Sequence, residues 1–348
     1  MKQEKLSQRT DDFDYALPKS AIAQKPAMPR DAARLLVDNG PDREVEHAQI
    51  NQLASYIRPG DLVVVNETSV IPARLPLKKS TGGAVEVFLL EPIDGGWAAL
   101  LKPSKRAKAG TELRSERDEA LRVVVGEELP GGQRKVELLH GQTEILDPSQ
   151  CNLLKSAGES PLPPYITAKD GQDSERYQTV YARTPGSVAA PTAGLHLTDD
   201  LINKIQSAGA NFARIDLVVG IDTFRPVLVA NPADHVMHSE RYSVSEITWQ
   251  ACQDAQRVIA IGTTTVRALE SAARGALAGR TELFLRRGSK FEIVDMMMTN
   301  FHMPRSTLLM MIDAFIGERW KDLYEDALAS GYRFLSFGDA MLLNRALR

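Results

Sequence analysis

The stretch Val258–Glu270, VIAIGTTTVRALE, places an apolar run directly before a glycine, three threonines and the start of a helical pattern. A short apolar run bounded by a turn signal is typical of a buried strand. A helix that begins where such a strand ends belongs to the repeating unit of parallel sheets with helical cover. The segment therefore predicts an α/β domain.

The same alternation of strands and helices extends through the second half of the chain and appears once before it. The predicted strands are residues 61–65, 213–219, 258–261 and 291–295. The predicted helices are residues 49–57, 199–207, 245–257, 263–278, 307–316, 320–329 and 339–346. This pattern predicts a substantially parallel sheet covered by helices.

Between residues 75 and 139 the pattern changes to short β-rich runs separated by glycine turns. The clearest runs are 85–90, 97–101, 121–125 and 135–139. Regular short strands without a strong helix indicate a small antiparallel barrel or sandwich. We therefore predict an α/β fold in which a larger mixed domain, 1–74 and 162–348, is interrupted by an inserted β-barrel domain, 75–161.

Composition narrows the class of protein. The chain has 348 residues, of which 43% are hydrophobic and 25% charged, which is ordinary for a globular protein and excludes collagen-like, fibrous or disordered chains. A net charge of -3 supplies no global basic field, so a nucleic acid must be held by a local patch. Two cysteines, no apolar leader and no long apolar run predict a cytoplasmic protein without a membrane span.

Thr263, Thr264 and Arg267 are candidate ligands for an anion. The start of a helix offers free N–H groups and a positive dipole end, and hydroxyl groups add donors. Arg267 follows one turn later. An ordinary capped helix explains the same residues equally well, because no phosphate-binding glycine motif accompanies them.

Several histidines are candidate proton-transfer groups. His196 follows a loop of small residues, although a plain turn explains that segment too. The spacing His235-x-x-His238, followed by Glu240, lacks an established metal-binding pattern, so we predict contacts to a polar substrate and no metal site. His302 lies in an apolar run, where a core position is the alternative.

A basic segment lies between strands of the predicted barrel. It contains Lys102, Lys105, Arg106 and Lys108. Such a cluster can contact the phosphates of a structured RNA, whereas a solvated loop is the usual alternative for a run of charges.

Taken together, the segments resemble the S-adenosylmethionine:tRNA ribosyltransferase-isomerase family of queuosine biosynthesis. The resemblance extends from Phe13 to about Met341. The segments that carry it are DFDYALP (12–18), NETSVIPARL (66–75), LPPYI (162–166), YQTVY (177–181), APTAGLH (190–196), DTFRPV (222–227), HSE (238–240), GTTTVRALES (262–271), TNFH (299–302) and YRFLSFGDAM (332–341).

The resemblance implies an enzyme that transfers and isomerises the ribosyl part of S-adenosylmethionine onto 7-aminomethyl-7-deazaguanine at the tRNA wobble position. The expected products are epoxyqueuosine in tRNA, adenine and methionine. The implied partners are S-adenosylmethionine as co-substrate and tRNAs with GUN anticodons. We expect no metal, no membrane association and a monomer.

The chemistry of this reaction suggests roles for individual residues. A base must remove a proton next to the sulfonium, and the leaving adenine benefits from an acid. The predicted catalytic residues are His196, His238 and His302, with Glu240 and Glu270 as carboxylate partners. The predicted substrate-binding residues are Arg74, Thr192, Gly194, Phe224, Arg225, Thr263, Thr264, Arg267 and Asn300, with Arg267 and the threonines placed for the methionine carboxylate or a tRNA phosphate.

Some positions depart from the family pattern. Val218 stands where members commonly have histidine, Asp222 where they have glycine, and Arg286-Arg287 where they often have Tyr-Pro. Two alternatives to this function stay open, the first of them motivated by the changes at Val218 and Asp222. One is a non-catalytic tRNA-binding paralogue, and the other is a different S-adenosylmethionine-dependent enzyme such as a methyltransferase.

Overall fold

The computed structural model describes residues 9–41, 43–167, 176–220 and 226–345. The chain divides into two compact units. The α/β unit comprises Met1–Glu67, Pro163–Ala182 and Pro191–Arg348, and the barrel unit comprises Thr68–Leu162 and Arg183–Ala190.

The strands and helices are numbered in chain order. The strands are β1 (Arg34–Asp38), β2 (Glu46–Gln49), β3 (Asp61–Asn66), β4 (Thr68–Val70), β5 (Arg74–Lys79), β6 (Ala84–Ile93), β7 (Gly96–Lys102), β8 (Glu112–Arg114), β9 (Leu121–Leu129), β10 (Gln133–His140), β11 (Thr143–Glu144), β12 (Thr184–Ser187), β13 (Asn211–Leu217), β14 (Glu240–Ser243), β15 (Arg257–Ile261), β16 (Ala278–Thr281), β17 (Met296–Asn300) and β18 (Ala340–Asn344). The helices are α1 (Asp199–Ser207), α2 (Glu246–Asp254), α3 (Thr263–Ala272), α4 (Thr307–Ile316) and α5 (Trp320–Ala329).

The α/β unit is built on a mixed sheet. Among the described residues its nine strands have the order β16-β14-β13-β3-β15-β17-β18-β1-β2. The four neighbours β13, β3, β15 and β17 are parallel, whereas β14, β16 and β2 join antiparallel. Every residue of β3 is buried, as expected for a parallel strand covered on both faces. The predicted parallel arrangement is thus confined to part of the sheet.

The two faces of this sheet bury different residues. The α1 face carries Val63, Val65, Ile259 and Ile261, which pack with Leu201 of α1 in one apolar cluster. The intervening residues of the same strands point to the opposite face, called the α3 face because α3 packs there. Thr198 caps α1 by accepting a hydrogen bond from the Leu201 amide at 3.2 Å.

The barrel unit contains a closed antiparallel barrel. Its strands follow the order β10-β7-β6-β5-β8-β9, and β9 pairs again with β10 to close the ring. Trp97 is fully buried and donates from its indole to the Ile145 carbonyl at 2.8 Å. The predicted fold class is confirmed. The predicted boundaries at 75 and 161 stay a prediction.

Two predicted elements are wrong in type or place. The sequence predicts a helix over 339–346, but Ala340–Asn344 form β18, which lies between β17 and β1. A short apolar run of this kind is compatible with a buried helix or a buried strand. Here its hydrogen-bonded pairing with β17 and β1 makes it a strand. Residues 291–295 do not form a strand, because the amides of Glu292, Ile293 and Val294 donate to the Glu270 carboxylate.

Other differences concern the ends and the tightness of helices. The helix predicted over 263–278 ends at Ala272, and Ala278–Thr281 form β16 instead. The helix predicted over 49–57 is a 3₁₀ helix, Ile50–Tyr56. Across the described ranges, no helix combines the length and the apolar character needed to cross a bilayer.

Candidate functional site

The ends of the parallel strands meet at one edge of the sheet. There β3 ends at Asn66, β15 at Ile261, β17 at Asn300 and β13 at Leu217. The chain forms β13 on one side of β3 and then β15 on its other side. In α/β sheets such a reversal opens a crevice at the carboxyl ends of the strands, where ligands bind.

Asn66, at the end of β3, connects β13 and α3 at this edge through hydrogen bonds. Its side-chain amide donates to the Leu217 carbonyl at 2.9 Å, and its oxygen accepts from the Leu217 amide at 3.1 Å. The same amide donates to the hydroxyl of Thr264 at 3.3 Å. Asn66 is not among the site residues predicted from the sequence, although a polar amide directly after a buried apolar strand is a usable signal.

The connection from β15 to α3 depends on Gly262. Its φ of +92° lies in the left-handed region, which other residues rarely adopt. Thr265 turns inward and donates from its hydroxyl to the Ile261 carbonyl at 2.7 Å. As a result, Thr263 and Thr264 present the first turn of α3 at the strand edge.

A cavity of about 220 Å³ lies on the α3 face of the α/β unit. One side is polar and consists of His238, Glu240, Thr263, Thr264 and Arg267. The remaining lining is mainly apolar and comes from the segment before β14, the segment after β16 and the first turns of α4. It includes Leu228, Met237, Leu283, Phe284, Leu285, Leu308 and Met311. The structure therefore brings together five of the residues that the sequence selected.

Glu240 and Arg267 form a buried ion pair at the polar side. Arg267 Nη1 lies 2.6 Å from Glu240 Oε2, and the other carboxylate oxygen accepts from the Gly220 amide at 3.2 Å. Arg267 Nη2 donates to the carbonyls of His238 at 3.1 Å and Thr281 at 3.3 Å. The guanidinium charge is thus neutralised inside the protein and also holds the backbone at His238.

The two histidines of the His235-x-x-His238 spacing both line the cavity. His238 is exposed, and His235 lies edge-on to Phe284 with ring centroids 5.8 Å apart. Within the described part of the chain, no three His, Cys, Asp or Glu side chains converge as metal ligands would.

A second cluster lies at the same edge on the α1 face. Asn300 donates to His196 Nε2 at 3.1 Å, donates to the Asp339 carbonyl at 3.2 Å and accepts from the Thr192 hydroxyl at 3.1 Å. Burial lowers the pKa of His196 to about 4, so its ring is neutral at pH 7. Gly194 packs so closely that an added Cβ would lie 2.0 Å from the Tyr181 hydroxyl oxygen.

His302 and Glu270 occupy buried positions that do not line the cavity. His302 Nε2 lies 2.9 Å from the Thr299 hydroxyl, and burial lowers the His302 pKa to about 3. Glu270 is fully buried, and its carboxylate accepts three backbone amides and an Arg274 guanidinium N–H at 2.7 Å. These surroundings are those of residues that hold the fold.

The remaining predicted site residues are elsewhere. Arg74 belongs to β5 of the barrel unit, where its Nε lies 3.9 Å from Glu86 Oε2. Phe224, Arg225 and the departure Asp222 lie outside the described residues. Of the basic segment, Lys102, Lys105 and Lys108 are exposed on the barrel unit, and the Arg106 side chain is outside the described part.

One departure from the family pattern has a clear structural role. Arg287 donates to both carboxylate oxygens of Asp313 and, at 3.0 Å, to Glu318. Asp313 also accepts from the Trp320 indole at 3.1 Å. Arg287 therefore fixes the segment after β16 to α4 and to the turn, Gly317–Arg319, that follows α4.

Fold and site together define an α/β enzyme with a ligand cavity at the switch point of its sheet and a separate β-barrel unit. A family model described as "Queuosine biosynthesis protein" matches residues 10–343. The chain belongs to this family, as its sequence motifs predicted.

Individual relatives agree with this assignment. The chain is 47% identical over 345 residues to the S-adenosylmethionine:tRNA ribosyltransferase-isomerase of Rubrobacter xylanophilus. This alignment covers 98% of this chain and 100% of the relative. It is 46% identical over 347 residues to the protein of the same name from Moorella thermoacetica, covering 96% and 99%. The crystal structure of S-adenosylmethionine tRNA ribosyltransferase from Thermotoga maritima is similar, with a TM-score of 0.53 and 34% identity over 95% of this chain and 99% of that one.

Proposed function

We propose that this protein is an S-adenosylmethionine:tRNA ribosyltransferase-isomerase. It transfers and isomerises the ribosyl part of S-adenosylmethionine onto 7-aminomethyl-7-deazaguanine at the tRNA wobble position. The products are epoxyqueuosine in tRNA, adenine and methionine. The observation that carries the proposal is the near-complete match to relatives of that name, 47% identical over 98% of the chain.

The cavity on the α3 face supports this proposal. It lies at the carboxyl end of the parallel strands, and it combines an exposed histidine with hydroxyl groups and an apolar wall. Breaking the bond between ribose and adenine leaves an electron pair on adenine, which must gain a proton. We assign this proton transfer to His238, because it is the predicted catalytic histidine that both lines the cavity and is exposed.

The other predicted residues take different roles in the proposal. Thr263 and Thr264 contact the substrate, and the Glu240–Arg267 pair positions His238 through its backbone carbonyl. Thr192, Gly194 and Asn300 shape the edge on the α1 face. Among the predicted catalytic residues, His196 and His302 act by holding the carboxyl edge of the sheet, and Glu270 acts by fixing residues 292–294 before β17, since all three are buried. Arg74, Phe224 and Arg225 stay proposed as substrate-binding residues.

The proposed macromolecular partner is a tRNA with a GUN anticodon. Exposed lysines 102, 105 and 108, together with Arg106, are proposed to contact its phosphates. The slope of log K against log salt is negative, and each phosphate contact that is lost should reduce its magnitude by about 0.9. An unchanged slope for a variant with all four neutralised would exclude the patch. The enzyme is proposed to act in the cytoplasm as a monomer, with S-adenosylmethionine as co-substrate and no metal.

The decisive experiment incubates the protein with S-adenosylmethionine and tRNA that carries 7-aminomethyl-7-deazaguanine. Release of both adenine and methionine supports the proposal. Formation of S-adenosylhomocysteine would indicate a methyltransferase, and tRNA binding without either product would indicate a non-catalytic paralogue.

A variant tests the role of His238. His238→Gln should reduce adenine release on the order of 100-fold, since general acid–base catalysis contributes roughly 100- to 10,000-fold. His47→Gln is the matched control, because His47 lies on β2 at the opposite edge of the sheet from β14. Equal turnover by wild type and His238→Gln would remove His238 from the mechanism.

A further inference from the structure

Arg267, on the polar side of the cavity, is poorly placed to bind a carboxylate. It is the cation of that side, but Nη1 faces Glu240 and Nη2 faces two carbonyl oxygens. A carboxylate is bound best by two parallel N–H groups of a guanidinium. Both terminal nitrogens of Arg267 already serve other oxygens, and the Glu240 charge would repel a second anion.

The aromatic and thioether part of the cavity lining is suited to a flat ring. Phe284 and His235 form an edge-to-face pair there. Met237 and Met311 line the same cavity, and thioether groups pack well against aromatic surfaces. Aromatic side chains are the usual platform on which nucleic-acid bases stack.

The size of the cavity limits its occupant. The cavity volume is about 220 Å³. It is below the roughly 300–1,000 Å³ of sites that enclose a drug-sized ligand. The space is large enough for one bicyclic ring system.

We propose that this cavity binds a purine-type base, with the ring against Phe284 and its polar edge towards Glu240 and Thr264, and that the carboxylate of methionine binds elsewhere. The inference rests on the proposed function for the identity of the bases. Two sources share this chemistry: the adenine of S-adenosylmethionine and the 7-deazaguanine of the tRNA. Placing adenine there would put the leaving base beside His238.

Equilibrium binding tests the proposal on the full chain. Calorimetric titrations use three probes separately: adenine, free 7-aminomethyl-7-deazaguanine and methionine. Phe284→Ala should weaken the binding of one of the two bases on the order of tenfold and leave methionine unaffected. Phe212→Ala, a partly exposed phenylalanine on β13 outside the cavity lining, is the matched control and should change neither.

The probes identify the occupant. Loss confined to adenine assigns the cavity to the leaving base, and loss confined to 7-aminomethyl-7-deazaguanine assigns it to the tRNA base. The proposal is overturned if Phe284→Ala weakens methionine instead, or if it weakens neither base. Met237→Ala provides a second lining variant should Phe284→Ala not fold.

The base-binding subsite and the proposed reaction are tested by separate measurements. Adenine release by the wild-type enzyme from S-adenosylmethionine and tRNA tests the reaction and does not depend on where either base binds. Turnover by the wild-type enzyme, together with base affinities that are the same in the wild type and Phe284→Ala, would refute the proposed subsite and leave the proposed reaction intact. Absence of turnover would refute the reaction whatever the binding results.

Discussion

Replacing Glu240 by glutamine tests the central interaction of the candidate site. The glutamine oxygen can still accept from the Gly220 amide, but its NH₂ group then faces Arg267 Nη1, donor against donor. Removing one partner of a buried ion pair costs about 3–5 kcal/mol, because the other charge stays buried without compensation. Two carbonyl oxygens still contact Arg267, and the site opens to a cavity, so we expect the lower end, about 3 kcal/mol.

The assay is urea unfolding of Glu240→Gln, Arg267→Met and the double variant. The double variant leaves no unpaired charge, so it should be about as stable as either single variant, and the two effects should not add. Asp14→Asn breaks the exposed pair with Arg305 and should cost under about 1 kcal/mol. The reasoning is refuted if Glu240→Gln costs less than about 1 kcal/mol and the double variant is additive.

Three further predictions concern the buried residues. The folded-state pKa values of His196 and His302 are lowered to about 4 and about 3, so the unfolded chain binds more protons as pH falls below about 6.5. The stability that these histidines contribute is therefore complete above that pH and is lost below it, by about 1 kcal/mol per pH unit for each histidine. Urea unfolding measured from about pH 7 to about pH 4.5 gives the free energy of unfolding as a function of pH, and it should fall less steeply with acidification in the His196→Gln, His302→Gln variant than in the wild type. Glu270→Ala should lower the free energy of unfolding by about 3 kcal/mol, because three backbone amides lose their acceptor, whereas a change of under about 1 kcal/mol in urea unfolding would contradict that role. Gly194→Ala should lower the thermal midpoint by several degrees, because its Cβ would lie 2.0 Å from the Tyr181 hydroxyl, and an unchanged midpoint in calorimetry would show that the loop yields freely.

Local patterns predicted much of the fold. The transition from β15 to α3 follows directly from an apolar run, one glycine and a helical sequence. A small antiparallel β domain follows from short strands with glycine turns, whereas its closure into a barrel depends on the pairing of β9 with β10. Pattern failed at β18, because Ala340–Asn344 carries no periodicity that separates a strand from a short buried helix. It also failed at 291–295, where amides that could join a sheet are bound by Glu270, a residue more than twenty positions earlier.

The candidate site was predictable in composition but not in arrangement. His238, Glu240 and the first turn of α3 do share one cavity. The sequence also selected His302 and Glu270, whose polar side chains are used inside the fold. It did not select Phe284 or Asn66, because neither a phenylalanine after a strand nor an asparagine at a strand end is unusual alone.

The sequence by itself determined most of the local elements, the β-rich insertion and the family, because these depend on periodicity, turn residues and segments read along the chain. Only the tertiary structure decided which face of the sheet each polar residue occupies and which charges cancel. Glu240 neutralises Arg267 across 27 positions, and β18 exists because β17 and β1 pair with it. Burial and pairing arise between residues distant in sequence, so no local pattern encodes them.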